Sequence, residues 1–136
     1  IPLLIGAGGN SGSQVTTTIT RAVALDEVKT SDVFSVLGKE LLTAVLVGGT
    51  LGFLGFLRAG LPLPFGWESG PQLSLVVGLA LPSIVIWAAT IGSVLPIAAK
   101  RMGIDPAVMS APFITTFVDA TGLIIYFEIA RRVMNV

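Results

Sequence analysis

The sequence of 136 residues contains no histidine and no cysteine. Without cysteine, the chain has neither a disulfide framework nor a thiolate metal site. Without histidine, it lacks imidazole metal ligands, Ser-His catalysis and the usual proton shuttle. Eight Lys/Arg residues balance eight Asp/Glu residues, so no surplus of positive charge indicates a nucleic-acid partner. These absences exclude most enzyme chemistry and leave oxygen atoms as the available metal ligands.

Charged residues are scarce and apolar residues are abundant. Only 12% of residues are charged and 53% are hydrophobic, whereas soluble domains carry about 25% charged residues. A soluble domain of this length could not bury so much apolar surface, so the sequence predicts an integral membrane protein in a lipid bilayer. The chain begins at Ile1 rather than Met, and residues 1–20 lack the basic segment of a signal peptide. We therefore expect part of a longer protein.

Charged clusters divide the chain into four segments that are long enough to cross a membrane, which takes about 20 apolar residues. We predict an all-α membrane protein, a polytopic helical bundle whose one transmembrane domain occupies residues 1–136. The four transmembrane helices are expected at approximately residues 3–25, 36–58, 72–99 and 107–131. The third segment is longer than one span requires and contains Pro82 and Pro96. A kink or an interfacial first turn is expected there.

The loop charges predict an orientation. In a four-span bundle, the connections at 21–40 and 100–106 share one side and hold five basic residues, against three on the other side. Because cytoplasmic loops carry the excess of Lys and Arg, the first side is predicted to be cytoplasmic and the C-terminus to lie outside.

Asp119 is the most informative single residue, because it lies near the middle of the last predicted span. A carboxylate at the bilayer centre costs roughly 2.5–3.5 kcal/mol on insertion scales, and the basic residues all lie at predicted helix ends or in loops. Thr115, Thr116 and Gly122 fall on the same side of this helix. The pattern favours a carboxylate that faces water and binds a cation. The alternative is an acid hydrogen-bonded to Thr hydroxyls or to a neighbouring helix.

The first predicted span carries a matching polar stripe. Asn10, Gln14, Thr17 and Thr18 share one helical face, and a polar face within a membrane must contact protein or water. These four residues are therefore candidates for lining a pore.

Glycine is concentrated in two of the predicted helices. In residues 6–14 it could unwind a turn and expose carbonyl oxygens to a hard cation, or it could serve only close helix packing. In the second span, Gly48 and Gly52 form a small-xxx-small pattern, which favours packing within the chain over a dimer contact.

Two intramembrane enzyme classes can be tested on these residues. The Gly9–Gly12 segment matches the G-x-S-G of rhomboid-type serine proteases, but their Ser requires a His base, which this sequence lacks. An aspartyl intramembrane protease requires two carboxylates that share a proton, and Asp119 is the only acid predicted at mid-membrane. The sequence therefore predicts that the chain is not an enzyme.

Three segments together resemble the transmembrane domain of the MgtE family of magnesium channels and transporters. Their order and spacing fit that family over nearly the whole chain. The segments are GGNSGSQ at 8–14, LP at 95–96 with KRMGIDPA at 100–107, and the TGLIIYF stretch at 121–127 preceded by Pro112, Thr115 and Asp119.

The resemblance implies a homodimer with an ion path between subunits, lined by the first and last of the predicted spans. It places Asp119 on the acidic residue that holds hydrated magnesium, and assigns the main-chain carbonyls of Thr115 and Ala111 to the same site. The family commonly has Asn where Ala111 stands and Ala where Thr115 stands. Mg²⁺ would be the transported ion rather than a catalytic cofactor.

Members of the family that the chain resembles also contain segments that these 136 residues lack. The family's first helix, of five, and its cytosolic regulatory domains are absent from these 136 residues. The resemblance implies a multi-pass protein of a bacterial-type inner membrane, with the C-terminus outside.

The predicted function is transmembrane transport of divalent cations, with Mg²⁺ as the preferred ion. Two alternatives remain open at this stage. Asp119 could couple transport to a proton or sodium gradient, or the chain could be a structural membrane bundle that transports nothing.

Overall fold

The computed structural model describes residues 1–61 and 70–135. Within these residues the chain forms four α-helices and two single 3-10 turns, without a strand. The helices are α1 (Pro2–Ala24), α2 (Val33–Gly60), α3 (Pro71–Arg101) and α4 (Ala111–Met134), and the 3-10 turns are Thr30–Asp32 and Pro106–Val108. Residues 62–69 of the connection between α2 and α3 lie outside the described residues.

The all-helical prediction is confirmed, and three of the helices, α2, α3 and α4, are long and apolar enough to cross a membrane. The helix α1 has 23 residues, about 34 Å at 1.5 Å per residue, but its Ser, Thr, Asn and Gln content lowers its hydropathy below that of the other three. The fourth transmembrane helix therefore stays a prediction.

The last helix begins at Ala111 rather than near residue 107. The carboxylate of Asp105 accepts a hydrogen bond from the backbone N–H of Ala107 at 2.9 Å, and this bond closes the separate turn Pro106–Val108. Ser110 then adopts an extended backbone before α4 starts. The apolar pattern of the sequence continues through this break, and the predicted helix therefore began earlier, near residue 107.

The central element is α3, which packs against each of the other three helices. Gly8 of α1 contacts Ile84 of α3, and Gly12, four residues later, contacts Ala88, which is also four residues later. The two helices are therefore parallel. Gly122 of α4 also contacts Ile84, and α4 runs antiparallel to both α1 and α3. The helix α2 packs on the other side of α3.

Both prolines of α3 are accommodated in one continuous α-helix of 31 residues. A proline has no N–H, so each one releases the carbonyl oxygen four residues earlier from its helical hydrogen bond. Gly78 precedes Pro82 by four residues, and Gly92 precedes Pro96 by the same interval. Two carbonyls in the middle of the bundle therefore need other neighbours.

The two released carbonyls are covered by different helices. The buried hydroxyl of Thr16 on α1 donates to the Gly92 oxygen at 3.3 Å. On the other side, Gly52 of α2 lies so close that a methyl group there would be 2.8 Å from the Gly78 oxygen and 2.7 Å from Cδ of Pro82. Only glycine allows this approach, and a Cα–H···O contact is the available compensation. The prediction that Gly48 and Gly52 of the second span serve packing within the chain is confirmed.

Thr16→Val should destabilise the fold by roughly 0.6 kcal/mol, the average for interhelical hydrogen bonds in membrane proteins. The effect should shrink in a Pro96→Ala background, because the restored N–H of residue 96 would bond the Gly92 carbonyl. Unfolding free energies of the four proteins in detergent measure this coupling. Thr17→Val is the matched control, since the exposed Thr17 hydroxyl bonds to Ser13 of its own helix. An equal cost of Thr16→Val in both backgrounds would contradict the assignment.

The ends of α1 and α3 meet through Lys100. Its Nζ donates to the carbonyl oxygen of Val23 at 2.8 Å and to the carboxylate of Asp26 at 2.6 Å. The turn after α1 and the turn after α3 therefore lie at the same end of the bundle, as the four-span topology predicts. Hydrogen bonding and charge attraction from Lys100 hold the pKa of Asp26 below its ordinary value of 3.8.

Asp26→Asn should lower the thermal unfolding midpoint slightly at neutral pH and less in acid. A carboxylate whose folded pKa is depressed stabilises the fold above its unfolded pKa, and this contribution disappears as the pH falls through the folded value, below 3.8. Midpoints of both proteins, measured from neutral pH to below that value, should converge. Glu27→Gln, in the same exposed turn, controls for the removal of a negative charge, and a constant gap would contradict the ion pair.

Candidate cation site between α1 and α4

Asp119 lies on α4 at the border between its buried and exposed faces. The carboxylate points toward α1: a methyl group at Gly9 would lie 2.8 Å from its Oδ1 and 3.7 Å from its Cγ. Oδ1 is buried and has no hydrogen-bond partner among the described residues. Asp119 also takes part in none of the ion pairs formed within residues 1–61 and 70–135. The structure thus places a carboxylate in a helix interface without a donor or a counter-charge from the described chain.

The glycine-rich start of α1 makes room for this carboxylate. Gly9 lies under Asp119, while Gly8 and Gly12 contact Val118 of α4. The helix is continuous from Pro2 to Ala24, so the expectation of an unwound turn in residues 6–14 is wrong. Close packing, the alternative, is confirmed. The physical reason is that Gly8, Gly9 and Gly12 each leave out a side chain at a contact, where a regular helix already brings α4 close enough.

Two hydroxyls join α1 to α4 beside Asp119. The Oγ atoms of Ser13 and Thr115 are hydrogen-bonded to each other. Ser13 Oγ also lies 2.6 Å from the carbonyl oxygen of Gly9, and Thr115 Oγ1 lies 2.9 Å from that of Ala111. The chain Gly9–Ser13–Thr115–Ala111 therefore runs across the interface one turn of α4 away from Asp119.

This chain of contacts is short of protons. Each hydroxyl carries one proton, so two protons serve three contacts. When Ser13 donates to Gly9, Thr115 donates to Ser13 and the Ala111 carbonyl receives no hydroxyl proton. When Thr115 donates to Ala111, Ser13 donates to Thr115 instead. The Ala111 oxygen, one of the predicted metal-facing atoms, is thus free of the hydroxyl in one of two arrangements.

The polar stripe of the first helix is on the surface of the single chain. Asn10, Gln14, Thr17 and Thr18 on α1 are exposed, as is Thr116 on α4. The three threonine hydroxyls donate to carbonyl oxygens of their own helices, at 2.8 to 3.0 Å. Their lone pairs remain available as acceptors. Together with Asp119, these residues form a polar face across α1 and α4.

Gly122 does not belong to this face. It is buried against Ile84 of α3, where a methyl group would lie 3.4 Å from the nearest atom. The spacing of three residues predicted that Gly122 lies on the same side of α4 as Asp119. In the structure, the side of α4 that carries Gly122 faces α3. In the described structure Gly122 is a packing residue.

Three residues of the site region were not identified from the sequence. Gly9 makes room for the Asp119 carboxylate, and Ser13 lies beside it. Both belong to the glycine-rich segment, in which Ser13 follows Gly9 by one helical turn, so the sequence did contain a pattern that could have identified them. The third is Trp87, whose Nε1 donates to Oγ1 of Thr121 at 2.8 Å between α3 and α4. No pattern in the sequence pairs these two residues.

No group of three or more Asp, Glu, His or Cys side chains that could hold a metal occurs in the part of the chain that the structure describes. A cation at Asp119 would therefore have one carboxylate of this chain, with bound water, main-chain oxygens or groups from outside the chain as its other ligands. That arrangement suits Mg²⁺, which dehydrates reluctantly and is usually held by one or two carboxylates.

Comparisons with known proteins identify the family of the chain. Residues 1–129 match a family model described as a divalent cation transporter. The chain is 40% identical over 135 residues to the magnesium transporter MgtE of Thermus thermophilus, 34% to that of Enterococcus faecalis and 28% to that of Bacillus subtilis. Each comparison covers 99% of the chain and 29% of the relative.

The fold and these matches define a multi-pass helical membrane protein of the divalent cation transporter class. The chain belongs to the MgtE family. Members of this family are transporters and not enzymes, which agrees with the exclusion of enzyme chemistry from the sequence. The chain spans about 29% of the length of the curated relatives it matches.

Gly9→Ala should destabilise the fold by about 1–3 kcal/mol, the usual cost of overpacking. The added methyl group would lie 2.8 Å from Oδ1 of Asp119 and 3.0 Å from Cγ2 of Thr115. Gly6→Ala is the matched control, because it lies one turn earlier in α1 and a methyl group there meets nothing within 4 Å. Unfolding in detergent measures both. Equal stability of the two variants would contradict the placement of the carboxylate.

Proposed function

We propose that this chain forms the conducting part of a magnesium transporter. Two copies assemble around a pore, and their Asp119 carboxylates face one another across the two-fold axis and hold one hydrated Mg²⁺. The observation that carries this proposal is the buried Oδ1 of Asp119, which has no hydrogen-bond partner among the described residues. A cation at the carboxylate would supply the counter-charge that the described residues lack.

The energetics favour a cation that is held and released. An Asp at the bilayer centre costs roughly 2.5–3.5 kcal/mol. Attraction between unit charges 4 Å apart is about 4 kcal/mol at an effective dielectric of 20, and a divalent ion between two carboxylates gains more. This offsets the insertion cost, while the retained water keeps the ion from binding too tightly to move on.

The main-chain oxygens of Ala111 and Thr115 are proposed as further contacts to the water shell of the ion. They lie two turns and one turn before Asp119 on α4. The proton arrangement in which Thr115 donates to Ser13 leaves the Ala111 carbonyl free of the hydroxyl. A hydrated cation, whose water hydrogens need acceptors, would favour that arrangement.

A homodimer would solve the problem that the polar face creates. Asn10, Gln14, Thr17, Thr18 and Thr116 are exposed on the single chain, where they would meet lipid. Most homo-oligomers are closed dimers in which the same surface meets itself around a two-fold axis. Pairing of the polar faces would enclose these oxygens and both carboxylates around water, as membrane energetics require.

The same proposal makes α1 the fourth membrane span. It runs parallel to α3, from the contact of Gly8 with Ile84 to the contact of Val23 with Lys100, so it extends along a helix that is long enough to cross the bilayer. A polar helix can cross when its polar face is turned to a pore and its other faces to α3 and α4.

The loop charges support an orientation in which the end of the bundle that holds Lys100 is cytoplasmic and the C-terminus lies outside. The match covers 29% of the length of each bacterial relative, and the remaining length leaves room for a cytosolic regulatory domain. We propose an inner-membrane location because these relatives are bacterial magnesium transporters.

Asp119→Asn should lower Mg²⁺ flux into liposomes at least about tenfold. The amide keeps the shape of the side chain but loses its charge, and about 1.4 kcal/mol corresponds to a factor of ten. Fluorescent detection of Mg²⁺ in liposomes with the purified dimer measures the rate. Glu128→Gln is the matched control on the same helix, because Glu128 pairs with Arg131 and Arg132 rather than with an ion.

The outcomes separate the alternatives. Undiminished flux in Asp119→Asn would end the proposal. Flux in the original chain that stops when proton and sodium gradients are removed would favour a coupled transporter instead. No flux in the original chain, together with a more stable Asp119→Leu variant, would favour a structural bundle.

A further inference from the structure

A crevice of about 240 Å³ lies between α1 and α2, on the side of α1 away from α4. Val85 and Ala89 of α3 form its floor. Its polar lining comes from both flanking helices. The polar residues are Ser11, Gln14, Thr18, Glu40 and Thr43.

Among the described residues that line this crevice, Glu40 alone is charged. It lies seven residues after the start of α2, about 10 Å along the helix. Since α2 is about 42 Å long and a hydrocarbon core is roughly 30 Å thick, Glu40 would lie a few Å inside the core of a centred helix. It forms no ion pair within the described ranges 1–61 and 70–135, and its neighbour Lys39 is exposed. Ionisable side chains at such a depth mark ion pathways.

Two of the hydroxyls that line the crevice with Glu40, those of Thr18 and Thr43, are left as acceptors. Thr18 donates its proton to the Gln14 carbonyl at 3.0 Å, and Thr43 donates to the Lys39 carbonyl at 3.2 Å. Their lone pairs are therefore left for a ligand that brings hydrogens. A carboxylate beside two hydroxyls whose protons are already used repels anions and suits a cation surrounded by water molecules.

The size of the crevice fits the same ligand. A water molecule occupies about 30 Å³ in the liquid, so the crevice holds roughly eight. Mg²⁺ is octahedral and keeps several of its waters in protein sites. A hydrated divalent ion therefore fits without losing its inner shell.

We propose that this crevice is a second divalent-cation site, with Glu40 as its charged ligand and Gln14, Thr18 and Thr43 as acceptors for the ion's water. The inference rests on the proposed function, because it makes the crevice a station on the path to Asp119. Gln14 and Thr18 belong both to the crevice and to the polar face, and Gln14 lies five residues, about 7.5 Å, along α1 from Gly9. Thr18 continues the path toward the end that holds Lys100.

Mn²⁺ titration followed by electron paramagnetic resonance tests the site directly, because bound Mn²⁺ loses the sharp signal of the free ion. The purified full chain should bind one ion per chain in the crevice and one per pair of chains at Asp119. Glu40→Gln should lose the first class, and its half-saturating Mg²⁺ concentration for flux should rise several-fold, with Glu40→Asp partly restoring both. Glu27→Gln, in the exposed turn after α1, is the control and should leave both unchanged.

The result separates this proposal from the previous one. Glu40→Gln that titrates like the original chain overturns the crevice site, whatever Asp119→Asn does. If Asp119→Asn binds Mn²⁺ like the original chain while Glu40→Gln loses one ion per chain, the crevice stands and the Asp119 site falls.

A second measurement leaves the crevice residues intact. Because the sequence has no cysteine, a Phe34→Cys change gives a single position for a nitroxide label at an exposed site of α2, six residues before Glu40. In an Asp119→Asn background, Mn²⁺ should broaden the nitroxide spectrum, and added Mg²⁺ should reverse the broadening. An unbroadened spectrum under saturating Mn²⁺ overturns the proposal.

Discussion

The carbonyl oxygens that Pro82 and Pro96 release within α3 determine where the other helices lie. An unbonded carbonyl in a membrane costs several kcal/mol, so each must be covered by a neighbour. Thr16 covers one with a hydrogen bond from α1, and Gly52 covers the other by bringing α2 into contact. A single central helix with two defects therefore fixes a helix on each side and leaves the crevice of Glu40 between them.

The position of α1 then sets the surroundings of Asp119. Once Gly12 and Thr16 lie against α3, Gly9 is held where the carboxylate of α4 needs space. With α1 in this orientation about its own axis, Asn10, Gln14 and Thr17 face outward. The buried acid and the exposed polar face are thus two consequences of one helix placement, and a change that rotates α1 would disturb both.

Much of this arrangement could be predicted from the sequence. Hydrophobic length and charged boundaries indicated an all-helical membrane protein, and the depth of Asp119 singled it out. Periodicity could not decide which flank of α4 faces α3, and so it grouped the buried Gly122 with Asp119. Glycines at 6–14 signalled a close approach, but composition does not distinguish an unwound turn from a packed helix. The separate turn at Pro106–Val108 depends on one cap, that of Asp105, which the apolar pattern does not reveal.

The hydroxyl pair of Ser13 and Thr115 gives the site a property that rigid carbonyls lack. Exchanging its two proton arrangements requires only rotation about C–O bonds, which takes picoseconds to nanoseconds, whereas helices rearrange in microseconds or longer. If an ion passes Asp119 as proposed, the pair is a reorientable dipole that can follow its charge without any displacement of the backbone. An interface of this kind smooths the electrostatic profile along a pathway, and a chain with alanine at residue 115 would have to rely on water for the same response.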